Sequence, residues 1–291
     1  MTLNVKKLAW VVAIGWLSQS GTVQAATTTL YAMNSSFTTP YIYVLPTTTM
    51  AVTSTLTNLS STNGRGVAVV GNTLYYTTSV SNSVYSYSIG SQTDNGALFA
   101  VAGTSGLSAL AFDGTNLWIA DSGTNHVFQY SLTGTLLKTV TLASASPGIS
   151  GLEYFLKNGQ GRLIANEGSV NGTYDIYDTN GTLITPGFIS TGGPASGIAF
   201  DGTNFWVARI FAQAIEAYSG TTGALVSGST LAVTNYPSGK APLLEDLSFD
   251  YNAVLPPPTG PSVPALSSWG LAGCCALLLA AGVLASRVRA N

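Results

Sequence analysis

Charge is what this sequence has least of. Only 8% of its 291 residues are Asp, Glu, Lys or Arg, while 46% are hydrophobic; soluble domains carry about a quarter charged residues. Lys6, Lys7, Arg287 and Arg289 lie at the termini, which leaves six basic against twelve acidic residues between them, a net charge near −6. Such a body is unsuited to a nucleic-acid partner, which calls for clustered Lys and Arg. Histidine is reduced to His126, so a His-rich metal centre is excluded. The two cysteines, Cys274 and Cys275, sit side by side in an apolar run near the C-terminus. The body therefore has neither disulfides nor Cys-ligated metal. Long apolar runs occur only at the two ends, and nothing between them shows helical periodicity. What the chain does have is 32 Gly, 14 Tyr and 10 Phe among many Ser, Thr and Asn. That is too apolar and aromatic for disorder, and the glycines are too irregular for collagen.

The ends read as addresses. Lys6 and Lys7 precede a ten-residue apolar stretch, Leu8 to Leu17, and Val23-Gln24-Ala25 follows with small residues at both key positions of a cleavage site. Residues 1–25 thus read as a secretory signal peptide cut between Ala25 and Ala26. A ten-residue stretch is short for crossing about 30 Å of hydrocarbon, which argues against an uncleaved anchor. At the other end, residues 255–262 form a stiff spacer around Pro256, Pro257 and Pro258. Beyond it, residues 269–285 make an apolar segment at the short end of a membrane span. Trp269 at one border with Arg287 and Arg289 at the other suits a membrane helix whose basic end is cytoplasmic, with the body outside.

The stretch Val263-Pro264-Ala265-Leu266-Ser267-Ser268-Trp269-Gly270, followed by that helix and a basic end, resembles the IPTL-CTERM sorting signal of Gram-negative bacteria, a relative of PEP-CTERM signals. Pro264, Leu266, Ser267, Trp269 and Gly270 match the family pattern, Val263 replaces Ile, and Ala265 and Ser268 depart from Thr and Glu. The resemblance covers residues 263–291 and implies an exosortase as partner, with the body passed to the cell surface. A plain C-terminal anchor is the alternative.

Residues 26–254 repeat. Phe112-Asp-Gly-Thr-Asn recurs as Phe200-Asp-Gly-Thr-Asn, and Trp118 recurs as Trp206, 88 residues later. Weaker copies begin at Gly64 and Gly148, and a last fragment, Glu245 to Asn252, holds only the first strand of a unit. Aligning Val69, Phe112, Tyr154, Phe200 and Phe249 gives spacings of 43, 42, 46 and 49 residues. Each unit reads as four short strands separated by turn signals, with Asp113-Gly114 joining the first two of its unit. Four strands in 40–50 residues is the pattern of a propeller blade. The N-terminal strands beginning at Thr29, Tyr41 and Ala51 supply partners for the final fragment. The expected fold is an all-β, five-bladed β-propeller whose last blade is closed by both chain ends. Six blades are the alternative, and would require a 46–49-residue unit to hide another sheet.

The segment Leu117-Trp-Ile-Ala-Asp-Ser-Gly-Thr-Asn-His126 and the strand after it resemble an NHL repeat, which implies a propeller and leaves its function open.

In the repeat frame one face gathers charge. Asn34, Thr78, Asp121, Asn166 and Arg209 follow the second strands, with Glu167 beside Asn166. Arg65, Ser108, Ser150, Ser196 and Glu245 open the inner strands, with Asp246 next to Glu245. Arg65, Asp121, Asn166, Glu167, Arg209, Glu245 and Asp246 are thus the candidate ligand residues for a sugar, a peptide or an ion pair; the alternative is charges pairing among themselves at a wet channel mouth. No cofactor is required. An all-oxygen calcium site from Asp121, Asn166 and Glu167 is the metal candidate. Asp113 and Asp201 read as turn formers, Trp118 and Trp206 as packing between blades, and His126 as a turn residue rather than a base. The expected function is non-catalytic binding or scaffolding at the envelope or surface. A calcium-dependent, lactonase-like hydrolase is the alternative.

Overall fold

The computed structural model describes residues 28–255 apart from 36–40, 105, 144, 169 and 238–242. The signal peptide with its Ala25–Ala26 cleavage site, the proline spacer and the sorting motif lie outside the described residues.

Three strands open the described chain: β1 (Thr29–Asn34), β2 (Ile42–Pro46) and β3 (Ser54–Leu56). Blade 1 follows as β4 (Gly64–Val70), β5 (Thr73–Thr78), β6 (Ser81–Ser88) and β7 (Thr93–Ala100). Blade 2 is β8 (Leu107–Phe112), β9 (Asn116–Asp121), β10 (His126–Ser131) and β11 (Leu136–Thr141). Blade 3 is β12 (Leu152–Lys157), β13 (Gln160–Asn166), β14 (Thr173–Asp178) and β15 (Leu183–Ser190). Blade 4 is β16 (Ile198–Phe200), β17 (Asn204–Arg209), β18 (Ala214–Ser219) and β19 (Leu231–Ala232). Finally β20 (Leu244–Ser248) pairs antiparallel with β1, so blade 5 runs β20-β1-β2-β3. The inner strands touch in turn, β4 to β8, β12, β16 and β20, and β20 returns to β4. The described residues thus form a five-bladed β-propeller, and the six-bladed alternative falls: the longer units put their extra residues into loops, not another sheet.

Burial follows position. Every residue of the inner strand β8 is buried, whereas most of the outer strand β7 is at least partly exposed. An inner strand has neighbouring blades on both sides, while an outer one has water at its edge. Trp118 packs among Ala109, Leu152 and Leu163, and Trp206 among Ala32, Leu244 and Phe249, so both tryptophans bridge adjacent blades.

The motif that repeats most clearly is a local staple. Asp113 Oδ1 accepts from the amides of Thr115 and Asn116, and its Oδ2 accepts from Trp118 Nε1 at 2.8 Å. Asp201 does the same with Thr203, Asn204 and Trp206 Nε1. Each Asp therefore shapes a turn and fixes the tryptophan two residues into the next strand.

One element has no counterpart in the expected all-β body. After β20 the chain makes a single helical turn, α1 (Tyr251–Val254), capped by Asp250, whose side chain accepts from the Asn252 amide. Asp-Tyr-Asn-Ala is too short to carry a periodic signal. Tyr251 stacks edge-on against Phe112, and Leu255 lies beneath Gly114, at the end of β8 away from Ser108. The C-terminal turn thus covers one end of the axis.

Candidate functional site

The axis is built from three registers of the inner strands. At the first, Arg65, Ser108 and Glu245 are the second residues of β4, β8 and β20, and Ser150 and Ser196 stand just before β12 and β16. At the second stand Gly66, Ala109, Gly151, Gly197 and Asp246. A Cβ at Gly66, Gly151 or Gly197 would overlap Ser108 O, Ser196 O and Asp246 Cα respectively, so the ring closes this tightly only because those positions lack side chains. Asp246 is the one large residue of this register. Its Oδ2 accepts from the amides of Val67 at 2.9 Å and Leu110 at 3.1 Å, on two different blades. Its Oδ1 is buried without a hydrogen-bond partner.

Two residues further along stand Ala68, Ala111, Glu153, Ala199 and Ser248, again small residues with one carboxylate. Glu153 accepts from Tyr251 Oη at 2.6 Å, from the Phe200 amide at 3.1 Å and from its neighbour Tyr154 N. Burial pushes its pKa up to about 8, although those three hydrogen bonds pull downward. Burial also raises Asp246 well above the carboxylate range, with the Glu153 charge adding to it against the amide hydrogen bonds. Asp246, Glu153 and Tyr251 therefore fill the axis. Glu153 was not among the residues singled out from sequence. Its signal was there, as one carboxylate in an aligned column of Ala and Ser.

The other end of the axis is an open mouth. A cavity of about 200 Å³ is lined by Arg65, Ser108, Ser150 and Glu245 from the first register, with Ser79, Ser122, Gly148 and Ile149 from adjoining loops. Arg65 Nη1 meets Glu245 Oε1 at 2.7 Å, joining blades 1 and 5 as the repeat frame implies. The two side chains are 33% and 8% exposed, so the guanidinium faces the cavity while the carboxylate sits in the wall. Burial raises the Glu245 pKa, and the Arg65 charge together with hydrogen bonds from Arg65 and Ser35 opposes the rise.

The remaining candidates do not join the mouth. Asp246 lies beneath it, at the second register. Arg209 donates to Pro194 O and forms an ion pair at 2.9 Å with Glu216 on its own blade, which β18 places diagonally across, opposite Val207. Asp121 caps the Gly123 amide. Asn166 holds the Ser150 and Gly151 amides through its Oδ1 and the Ser150 hydroxyl through its Nδ2. Glu167 faces Asp175 and Asn171; burial and then the Asp175 charge raise its pKa. Asp121, Asn166 and Glu167 are therefore engaged separately, and no group of three His, Cys, Asp or Glu placed to hold a metal occurs among the described residues. His126 packs edge-on against Phe128.

No family model matches the chain, and no curated protein matches it. A likeness to known proteins comes only from solved structures. A chain of the nidogen/laminin complex is 14% identical, with 76% of this chain and 98% of that one covered at a TM-score of 0.53. That likeness shows the fold. The glutaminyl cyclase of Myxococcus xanthus is 12% identical over 65% of this chain and 71% of its own, at a TM-score of 0.46. Among the described residues no helix is long and apolar enough to cross a membrane.

Proposed function

We propose that this chain is an exported propeller, sorted to the envelope or surface of a Gram-negative bacterium, that acts there as a non-catalytic binding module. The observation that carries the binding reading is the mouth itself: a polar cavity built around an Arg65–Glu245 pair from two blades, above an axis filled by Asp246 and Glu153. Concave sites with a few convergent polar groups are where small ligands bind. The Ser108 hydroxyl donates to Ala120 O and the Ser150 hydroxyl accepts from Asn166, so neither is paired with a general base. The export reading rests on residues 1–25 and 263–291.

A thermal-shift screen of the purified full chain against small charged and hydroxylated molecules tests this, with mass spectrometry of each hit after incubation. The expected result is stabilisation by a compound that remains unchanged, lost in Ser122→Leu, which fills the mouth from an exposed position. Hits that survive Ser122→Leu, or that are consumed, would overturn the reading.

A further inference from the structure

We infer that the mouth takes a small zwitterion with the charge pattern of a polar α-amino acid, an inference that rests on the mouth being the ligand seat. The Arg65–Glu245 pair is the reason. It presents both signs of charge 2.7 Å apart on one wall. A simple anion drawn to Arg65 meets the Glu245 carboxylate, and a simple cation drawn to Glu245 meets the guanidinium. A molecule carrying a carboxylate and an ammonium two bonds apart gains from both.

The free valences fit. Arg65 uses Nη1 on Glu245, and its guanidinium has further N–H donors on the same planar fork for a ligand carboxylate. Glu245 accepts from Arg65 and from Ser35, and the lone pairs that its carboxylate keeps beyond those two partners are the acceptors for a ligand ammonium.

The rest of the wall sets size and polarity. Ser79, Ser108, Ser122 and Ser150 supply hydroxyls, and Ile149 is the only large apolar side chain among the lining residues. A ring-shaped or apolar ligand would need the apolar or aromatic wall that most small-molecule pockets provide. The cavity of about 200 Å³ holds roughly six or seven waters' worth of liquid volume, room for a small amino acid such as serine together with a few waters.

Calorimetric titration of the full chain tests the inference with four probes: L-serine, D-glycerate (no ammonium), 2-amino-1,3-propanediol (no carboxylate) and glucose. L-Serine should bind at one site, with glycerate and aminopropanediol at least tenfold weaker. Arg65→Gln should weaken serine at least tenfold, and Ser122→Leu should abolish binding while keeping the melting temperature of the parent. Glucose, glycerate or aminopropanediol binding as tightly as serine, with that binding lost in Ser122→Leu, would overturn the zwitterion and leave the mouth as a ligand seat. Serine binding that survives Ser122→Leu would overturn both. Heat from none of the four would overturn the zwitterion, while the broader screen above still decides the mouth.

Discussion

The carboxylate of Asp246 meets the amide of Val67 at 2.9 Å, across 179 residues of sequence. Ser248 Oγ and Asp250 Oδ1 repeat the contact with the amides of Val69 and Gly71, at 3.0 and 2.8 Å. β4 is the edge of its sheet on the axis side, and buried amides there would otherwise be orphaned. Alternate side chains from the final strand to the helix cap Asp250 stand in for a partner strand, so the C-terminal segment closes the ring by a polar zipper as well as by pairing with β1.

Asp246→Ala removes the acceptor for both Val67 and Leu110. With each orphaned buried donor costing about 1–3 kcal/mol, the loss should be roughly 2–6 kcal/mol in chemical denaturation. Asp246→Asn keeps an acceptor and should stay within about 1 kcal/mol of the parent. Equal losses from both variants would mean that the charge, not the two amides, matters.

Glu153 ties stability to pH. Its folded-state pKa is raised to about 8, so the native state keeps a proton that the unfolded chain has released above about pH 4.5. The unfolded state then binds fewer protons, and this residue's contribution to stability falls as pH rises from about 5 to about 8, then levels off. Glu153→Gln removes that dependence. Relative to the parent, the variant should gain roughly 3–5 kcal/mol between pH 5 and pH 9, read from denaturation midpoints. A constant difference across that range would contradict a neutral Glu153.

Asp113 and Asp201 should matter to the fold and not to the mouth. Asp113→Ala loses partners for Thr115, Asn116, Trp118 and Gln129, and Asp201→Ala for Thr203, Asn204 and Trp206. Each should cost about 1–3 kcal/mol by denaturation. Ligand affinity at the mouth should be unchanged, because these turns lie at the far ends of β8 and β16.

The sequence shows much of this architecture because a propeller repeats. Phe112-Asp-Gly-Thr-Asn and its copy at Phe200 mark the blades, and the unpaired fragment at Glu245 announces that the last blade borrows strands from the N-terminus. The side chains are harder to read. Asn and Asp at loop entrances serve their own backbone as readily as a ligand, and nothing in the spacing of Asp121 or Asn166 reveals which. Arg209 stands in the ring by alignment, yet Glu216 across the strand pair claims it. Glu153 goes unnoticed because it lies within a strand, away from the loops where ligand residues are sought.

Export has a direct chemical signature. Expressed in a Gram-negative host, the chain should yield a mature N-terminus at Ala26 by mass spectrometry. In a host with a matching exosortase it should also lose mass from the region of Val263 to Gly270. An intact Met1 in the purified protein would contradict export through a cleaved signal peptide.

The proposed binding function places the ligand at the mouth between Arg65 and Glu245. Amide chemical-shift mapping of the isotope-labelled full chain, titrated with the hits of the thermal screen, tests it most directly. The largest shifts should fall on Arg65, Ser79, Ser108, Ser122, Ser150 and Glu245. The largest shifts at Asp113, Asp201 and Tyr251, at the closed end of the axis, would contradict it.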